Sequence, residues 1–521
     1  MSGPPAIGPR HWSDHLPDGG AVPAAFDLPA PGTLVGAWTA SLTPEPDRLL
    51  LLDAGAGRDE WTTRGEFLDR TSVAAARLHA AGLEPGDRVL LSGPSSVDLV
   101  VAHVACLRLG LVVVPTNGSY REAELAYVVA DCTPRAAIVD HDGWADVLTG
   151  LAPDLLAVPT GLEGLPESPD GPGPTLDAVE PDAPALIGYT SGTTGRPKGA
   201  VLTQGNLLAG AEAVRVAWRW TDADRLVLCL PLFHMHGLGV GLHGTLLAGA
   251  SAVLQAGFDP DAVLSGLGDH DATLFFGVPT MYHRLADHPD VSALGLLRLC
   301  VAGSAPLSAD LHSRLAEATG AAVLERYGMT ETVMLVSNPY DGERRPGSVG
   351  IPRPGVDARL EPDDGEILVR GPNVFTGYWG RPEATAEAFV DDPGGGAPWF
   401  RTGDLGAVDD DGYLAIVGRT KELIISGGFN VYPREVDDAL GLHPAVSEVA
   451  VAGLPSEEWG EEVVAWVVPA SGHDCPTVDE LRDFARDHLA AYKLPRRVVA
   501  VDALPRNALG KVTRHELRPS D

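Results

Sequence analysis

Between Gly86 and Gly328 the chain repeats one figure, a short apolar run closed by glycine, proline or a small polar residue and followed by an amphipathic stretch. "GDRVLLSG" (86–93), "PRAAIVD" (134–140), "DATLFFGVP" (271–279), "LRLCVAGS" (297–304) and "AVLERYG" (322–328) are the apolar runs. "REAELAYVVA", "TMYHRLADH" and "SADLHSRLAEATG" carry helical spacing. Runs without polar alternation are strands buried on both faces, and only helices laid over a largely parallel sheet cover both faces. The fold class is therefore α/β. At 521 residues the chain exceeds what one core serves, so a second domain is expected.

From about Gly371 the pattern changes. "GEILVRGPNVFTGYW" and "DGYLAIVGR" are β-rich, and "TKELIISGGFNVYP" follows with glycine and proline breaks. A compact order then predicts helix "REVDDALGLH", strands "VSEVAVAGL" and "EEVVAWVVP", helix "VDELRDFARDHLA" and strand "RRVVAV". The boundary is expected near Arg419 to Lys421, giving a large body over 1–418 and a small α+β lid over 419–521. The Pro- and Gly-rich segment from Leu155 to Pro184 reads as a surface excursion with little to bury.

A formal charge of −33 argues against nucleic acid or an anionic membrane as partner. Any polyanionic substrate must then be gripped by a local cluster of NH groups, cations or a metal. The cysteines (Cys106, Cys132, Cys229, Cys300, Cys475) have no paired spacing and read as reduced thiols in a cytoplasmic protein. The N-terminus lacks a signal pattern, and the run Leu99 to Pro115, broken by Arg108 and Gly110, is too short to span a bilayer.

The stretch "YTSGTTGRPKGA" (189–200) follows a strand at Ala185 to Tyr189. Gly192, Gly195 and Gly199 permit close backbone approach, and Thr190, Ser191, Thr193 and Thr194 add hydroxyl donors. Such a loop is either an anion nest or a glycine-rich surface turn. It lacks the Gly-x-x-x-x-Gly-Lys-Ser/Thr spacing of a Walker loop, because Lys198 precedes Gly199.

With "LPLFHMHGL" (230–238), "GSAPL" (303–307), "ERYGMTE" (325–331), "RTGDLG" (401–406), "GRTKELIISGGFNVYPREVD" (418–437) and "PRNALGK" (505–511), the chain resembles the adenylate-forming acyl-CoA synthetases. That resemblance implies ATP, Mg2+ and coenzyme A as cofactors and a small carboxylic acid as substrate. The acid would attack the α-phosphorus of ATP to give an acyl-AMP, and a thiol would then displace AMP.

The resemblance also implies roles. Thr190, Ser191, Gly192, Thr193, Thr194 and Lys198 would hold the leaving phosphates. Gly303, Ser304, Ala305, Glu325, Arg326, Tyr327, Gly328, Met329 and Thr330 would contact the nucleotide, with Glu331 and Thr190 at the metal. Asp404 and Arg419 would hold the ribose, and Lys511 would neutralise charge in adenylation. Lys421 is the implied hinge, swinging Ser426, Gly427, Gly428 and Phe429 toward the pantetheine arm of CoA. His234 would sit beside the acyl carbonyl, although a lone histidine also reads as a core residue.

"FFGVPTMYHRL" and "NPYDGERRPGSVGIPRPGV" resemble the malonyl-CoA synthetase branch, in which Arg284 would grip a second carboxylate as a buried guanidinium. Ser304, Met334 and Leu335 are expected at the acyl pocket. Leu335-Val336 stands where that branch carries polar residues, which makes a bulky hydrophobic acid the alternative, while Arg284 keeps a malonate-like substrate in front. A chain performing only the thioesterification half-reaction, a carrier-loading domain and a catalytically silent acyl-adenylate binder are the alternatives. Oligomeric state does not follow from these residues.

Overall fold

The computed structural model describes residues 6–7, 15–16, 32–54, 60–167, 173–190, 197–427, 429–456, 458–486, 488–507 and 511–517. It divides into two compact units, a large one of Ile7–Asp357 with Val369–Phe400 and a small one of Met1–Ala6, Ala358–Leu368 and Arg401–Asp521.

In the large unit two sheets are interleaved along the chain. Strands β1 (Leu49–Asp53) and β2 (Trp61–Thr63) enter a nine-stranded sheet. The next six, β3 (Arg88–Ser92), β4 (Val112–Pro115), β5 (Ala136–Val139), β6 (Leu156–Val158), β7 (Pro184–Thr190) and β8 (Lys198–Thr203), form most of a seven-stranded sheet. The chain then returns to the first sheet with β9 (Arg225–Leu228), β10 (Ser251–Leu254), β11 (Leu274–Gly277), β12 (Leu299–Ala302), β13 (Leu324–Tyr327), β14 (Val336–Ser337) and β15 (Ile351–Pro352). A last short strand, β16 (Gly377–Tyr378), closes the seven-stranded sheet.

The order of the larger sheet is β15-β14-β13-β12-β11-β9-β10-β1-β2, parallel from β13 to β1. That of the other is β16-β8-β7-β4-β3-β5-β6, parallel from β7 to β6, with β8 and β16 antiparallel at one edge. The α/β expectation is met because these strands are what they read as, fully buried apolar runs such as Leu274–Gly277. Helices begin where hydroxyls cap them, at Ser96, Thr203 and Ser308. Among the described residues no helix is long and apolar enough to cross a membrane.

The segment read as a surface excursion differs. Its start forms β6, and Leu155, Val158, Leu162 and Leu165 are buried. A few leucines and a valine among glycines and prolines suffice to tie it to the sheet edge.

The small unit pairs β17 (Trp399–Val408), from Asp404 onward, with β18 (Leu414–Arg419). Beyond lie β19 (Ile424–Ser426), β20 (Phe429–Val431), β21 (Val446–Ser456), β22 (Gly460–Pro469) and β23 (Arg497–Ala500), in the order β20-β19-β22-β21 with β23 parallel to β22. Alternation along β22 sends Val463, Ala465 and Val467 into one core, with Val436, Leu440 and Leu481 of the covering helices. Val464 and Trp466 face a second cluster with Leu504 and Leu517.

Candidate active site

Open α/β sheets place ligands beyond the carboxyl ends of their parallel strands. Four of the seven motifs, at 189–199, 230–238, 303–307 and 325–331, lie at or just after these ends. Strand β7 runs into Tyr189 and Thr190, whose hydroxyls bond Asp131 Oδ2 at 2.8 Å and the Lys198 carbonyl at 3.4 Å. Four of the expected phosphate-loop residues, Ser191, Gly192, Thr193 and Thr194, lie outside the described residues.

Beside that loop, β16 pairs with β8 through Gly377↔Val201 and Tyr378↔Ala200. The Tyr378 hydroxyl donates to Glu331 Oε1 at 3.0 Å, and Lys198 Nζ lies 5.0 Å from the centre of its ring. Glu331 is buried, and Thr330 packs its methyl where a Cβ at Gly188 would stand. Thr190, Lys198, Thr330 and Glu331 are thus assembled together by β7, β8, β13 and β16.

A second group forms beyond β11, β12 and β13. Gly303 follows β12, and a Cβ there would overlap the guanidinium of Arg326 on β13. Ser304, held at φ +71°, accepts from Arg326 Nη2 at 3.4 Å and lies 3.5 Å from His236 Nδ1. Arg326 is 6% exposed and its Nε has no partner. Among the described residues no carboxylate pairs with it, and burial lowers its pKa to about 9. His236 is 3% exposed, stacks with Phe276, and leaves Nε2 unpartnered. Burial, then Arg326, then His234 hold it well below the usual histidine range, so it is neutral.

The segment after Glu331 is braced from several sides. Val333 is left-handed at φ +58°, an unusual conformation for a β-branched residue, and packs on Gly210 and Gly239. Asn373 donates to the Thr332 and Met334 carbonyls at 2.9 and 3.0 Å, and Arg353 donates to the Met334 carbonyl. Met334 and Leu335 are fully buried. The Gly328 backbone admits no side chain against Val333 and Met334.

Other expected residues serve differently. Glu325 accepts from the backbone NH of Leu307 at 3.4 Å and of Gly347 at 3.1 Å, which is a bracing task for its carboxylate. Ala305, Tyr327 and Met329 are half-buried at the strand ends. His234 is half-buried, its Nδ1 accepting from the His236 NH at 3.4 Å. Arg284 departs from the buried guanidinium expected of it. It is exposed on the helix Pro279–Ala286, between buried Tyr282 and Leu285, with its guanidinium 5.0 Å from the Phe258 ring centre. His236 was absent from the expected set; the second histidine of "FHMHG" was its only sign.

In the small unit, Asp404 and Arg419 oppose each other on β17 and β18 and pair at 2.9 Å. Lys511 is held by exchange with Asn507, Lys511 NH to Oδ1 at 3.0 Å and Asn507 NH to the Lys511 carbonyl at 2.9 Å. Burial and the nearby Arg419 lower the Lys511 pKa to about 8, against the opposing pull of Asp404 and Glu422. Arg514 joins Glu422 at 3.1 Å and also pairs with Asp437, tying the turn that carries Lys421 (Thr420–Glu422) to the helix Pro433–Leu440. Lys421 is exposed.

Ser426 is buried, and Gly427, at φ +60°, gives its NH to the Trp459 carbonyl at 2.8 Å. A Cβ on Gly427 would sit 3.0 Å from the Trp459 ring, over which Arg496 lies at 3.7 Å. Phe429 is exposed and stacks on Tyr492 at 4.7 Å. Gly428 lies outside the described residues.

A profile described as AMP-binding enzyme matches residues 38–379, and one described as AMP-binding enzyme C-terminal domain matches residues 435–511. Feruloyl-CoA synthase of Amycolatopsis sp is 41% identical over 472 residues, 88% of this chain and 93% of that protein. The crystal structure of ATP-bound MatB from Rhodopseudomonas palustris superposes with a TM-score of 0.84 at 38% identity, covering 92% of this chain and 97% of that one. A malonyl-CoA ligase in ternary product complex with methylmalonyl-CoA and AMP is 40% identical, with a TM-score of 0.64 over 89% of this chain and 99% of that one.

Proposed function

The chain belongs to the AMP-binding enzyme family and is an AMP-forming acyl-CoA ligase, and from that premise we propose that it activates an acid bearing a second anionic group, such as malonate or methylmalonate. Arg326 carries this reading. A guanidinium buried with neither carboxylate nor full hydrogen bonding is an expensive state, on the order of 3–5 kcal/mol for an uncompensated buried charge. A carboxylate on the substrate would relieve it by pairing with its fork of donors. Neutral His236 and the Ser304 hydroxyl stand beside it to complete the polar end of the acyl site.

The first half-reaction is attack of the substrate carboxylate on the α-phosphorus, with pyrophosphate leaving. Lys511, as an ammonium, neutralises charge shared between the carboxylate and the α-phosphate. Asp404 and Arg419 hold the ribose hydroxyls, and Thr190 and Lys198 hold the departing phosphates. A buried carboxylate that already accepts from Tyr378 fits a hard cation, so Glu331 and Thr190 would hold Mg2+. Bound there, the ion would supply positive charge to phosphate oxygens. In the second half-reaction the small domain pivots at Lys421, so that Ser426, Gly427, Gly428 and Phe429 line the approach of the CoA thiol, and His234 stands at the acyl carbonyl. This motion and these roles extend the family's two-step chemistry to the residues of this chain.

The buried, wholly apolar Met334 and Leu335, with the feruloyl-CoA synthase relative, favour a second reading, a bulky hydrophobic acid with a single carboxylate. Pyrophosphate release with ATP, CoA withheld, separates the two across malonate, methylmalonate and ferulate. The diacid reading expects malonate or methylmalonate to lead and Arg326→Met to erase that lead while sparing ferulate. Ferulate leading in the unaltered enzyme would reverse the assignment. Thioester formed only from supplied acyl-AMP, with no acid releasing pyrophosphate, would leave the second half-reaction alone.

A further inference from the structure

Tyr378 belongs to none of the roles above, yet it touches two of their holders at once. Its hydroxyl donates to Glu331 Oε1 at 3.0 Å, and its ring carries Lys198 Nζ at 5.0 Å from the centre. Both contacts follow from register. Tyr378, on the edge strand β16, stands opposite Ala200 on β8, and Lys198, two residues along, projects on the same face. The tyrosine is itself fixed. Its backbone NH donates to Thr385 Oγ1 at 2.9 Å, and Phe375 packs edge-on against its ring at 4.8 Å. Gly377, at φ +148°, brings the strand against Thr385, where a side chain would collide.

We propose that Tyr378 is a positioning residue for adenylation, aiming the Glu331 carboxylate at the divalent cation with its hydroxyl and steadying the Lys198 ammonium at the triphosphate with its ring face. The proposal rests on the adenylation reading above. A carboxylate that accepts a hydrogen bond in a buried site keeps one orientation. A cation over an aromatic face is held without being neutralised, so its full charge remains for phosphate. One rigid side chain thereby sets the spacing of an acceptor for metal and a cation for phosphate, a geometry two independent flexible chains would have to find on each turnover.

The two contacts can be separated. Tyr378→Phe keeps the ring and loses the hydroxyl, whereas Tyr378→Leu loses both. The measurements are Mn2+ binding to the ATP-bound protein by electron paramagnetic resonance, without acid or CoA, and ATP binding by calorimetry in EDTA. Tyr378→Phe should weaken Mn2+ binding about tenfold, the scale of a hydrogen bond to a charged group, and leave metal-free ATP affinity near that of the parent. Tyr378→Leu should also lower metal-free ATP affinity. Pyrophosphate release by Tyr378→Phe should recover as Mg2+ is raised. In a Glu331→Gln background, the Phe substitution should add nothing, because the partner of the hydroxyl is gone. Unchanged Mn2+ affinity in Tyr378→Phe, with Glu331→Gln impaired, would overturn the positioning role. Unchanged affinity in Glu331→Gln as well would instead remove Glu331 as the metal ligand and with it the reading on which the proposal stands.

Discussion

Asp404 and Arg419 face each other across the β17–β18 ladder, joined at 2.9 Å, and both act on the charge of Lys511. Arg419 favours the neutral amine and Asp404 the ammonium; with burial the largest influence, the Lys511 pKa falls to about 8. In the proposed mechanism adenylation uses the ammonium, so its rate should fall as pH rises through about 8. The kcat/KM for pyrophosphate release, which reports ionisations of the free enzyme, should show that alkaline limb. Lys511→Arg, charged at every accessible pH, should lose the limb whatever its absolute rate. Asp404→Asn removes a stabiliser of the ammonium and should move the limb to lower pH. A limb unchanged in both variants would assign it to another group.

Stability should respond to acid through a different pair. His103 and His243 are buried with their Nε2 atoms 3.0 Å apart and their rings stacked. Burial lowers the His103 pKa to about 3, and burial, followed by His103, holds His243 well below its usual range. Both are neutral in the fold and titrate near 6.5 when unfolded, so below that pH the unfolded chain binds the extra protons. Stability should therefore be complete above pH 6.5 and fall as pH drops toward 3, by about 1.4 kcal/mol per pH unit for each histidine. Urea unfolding at stepped pH should show a shallower loss in His103→Gln. Parallel slopes for variant and parent would contradict the assignment.

A substitution at Gly427 should separate the half-reactions. Its φ of +60° is costly for any residue with a side chain, and a Cβ there presses on Trp459. Gly427→Val should suppress thioester formation from supplied acyl-AMP while pyrophosphate release persists. Full thioester output would show that the thiol passes elsewhere.

The two arginines considered for a second carboxylate differ by burial. Arg326→Met should lower malonate turnover by about two orders of magnitude, the scale of losing a buried charge pair. Arg284→Met removes a guanidinium that is exposed beside Phe258 and should cost less. Competition between malonate and ferulate reads both effects, and the reverse ranking would return the role to Arg284.

The large unit was legible because buried parallel strands are apolar without alternation, as in Leu274–Gly277, and that signal is local. What escaped depends on distant approaches. The resemblance placed Arg326 of "ERYGMTE" at the nucleotide, but its burial was not legible, because it arises only where Gly303, following the neighbouring strand, leaves room for it. His236 is made an active-site candidate by Ser304 and Phe276, residues far along the chain. The exposure of Arg284 could be read locally, since Tyr282 and Leu285 take the inward face of its helix. Strand β6 was hidden by the glycines and prolines after it, although Leu162 and Leu165 anchor that segment.

Acid-dependent exchange of labelled pyrophosphate into ATP, with CoA omitted, most directly tests formation of an acyl-adenylate at these residues. Malonate or methylmalonate should support exchange in the unaltered enzyme, and Lys511→Ala should abolish it while still converting supplied acyl-AMP to thioester. Exchange undiminished in Lys511→Ala, or absent with every acid offered, would contradict it.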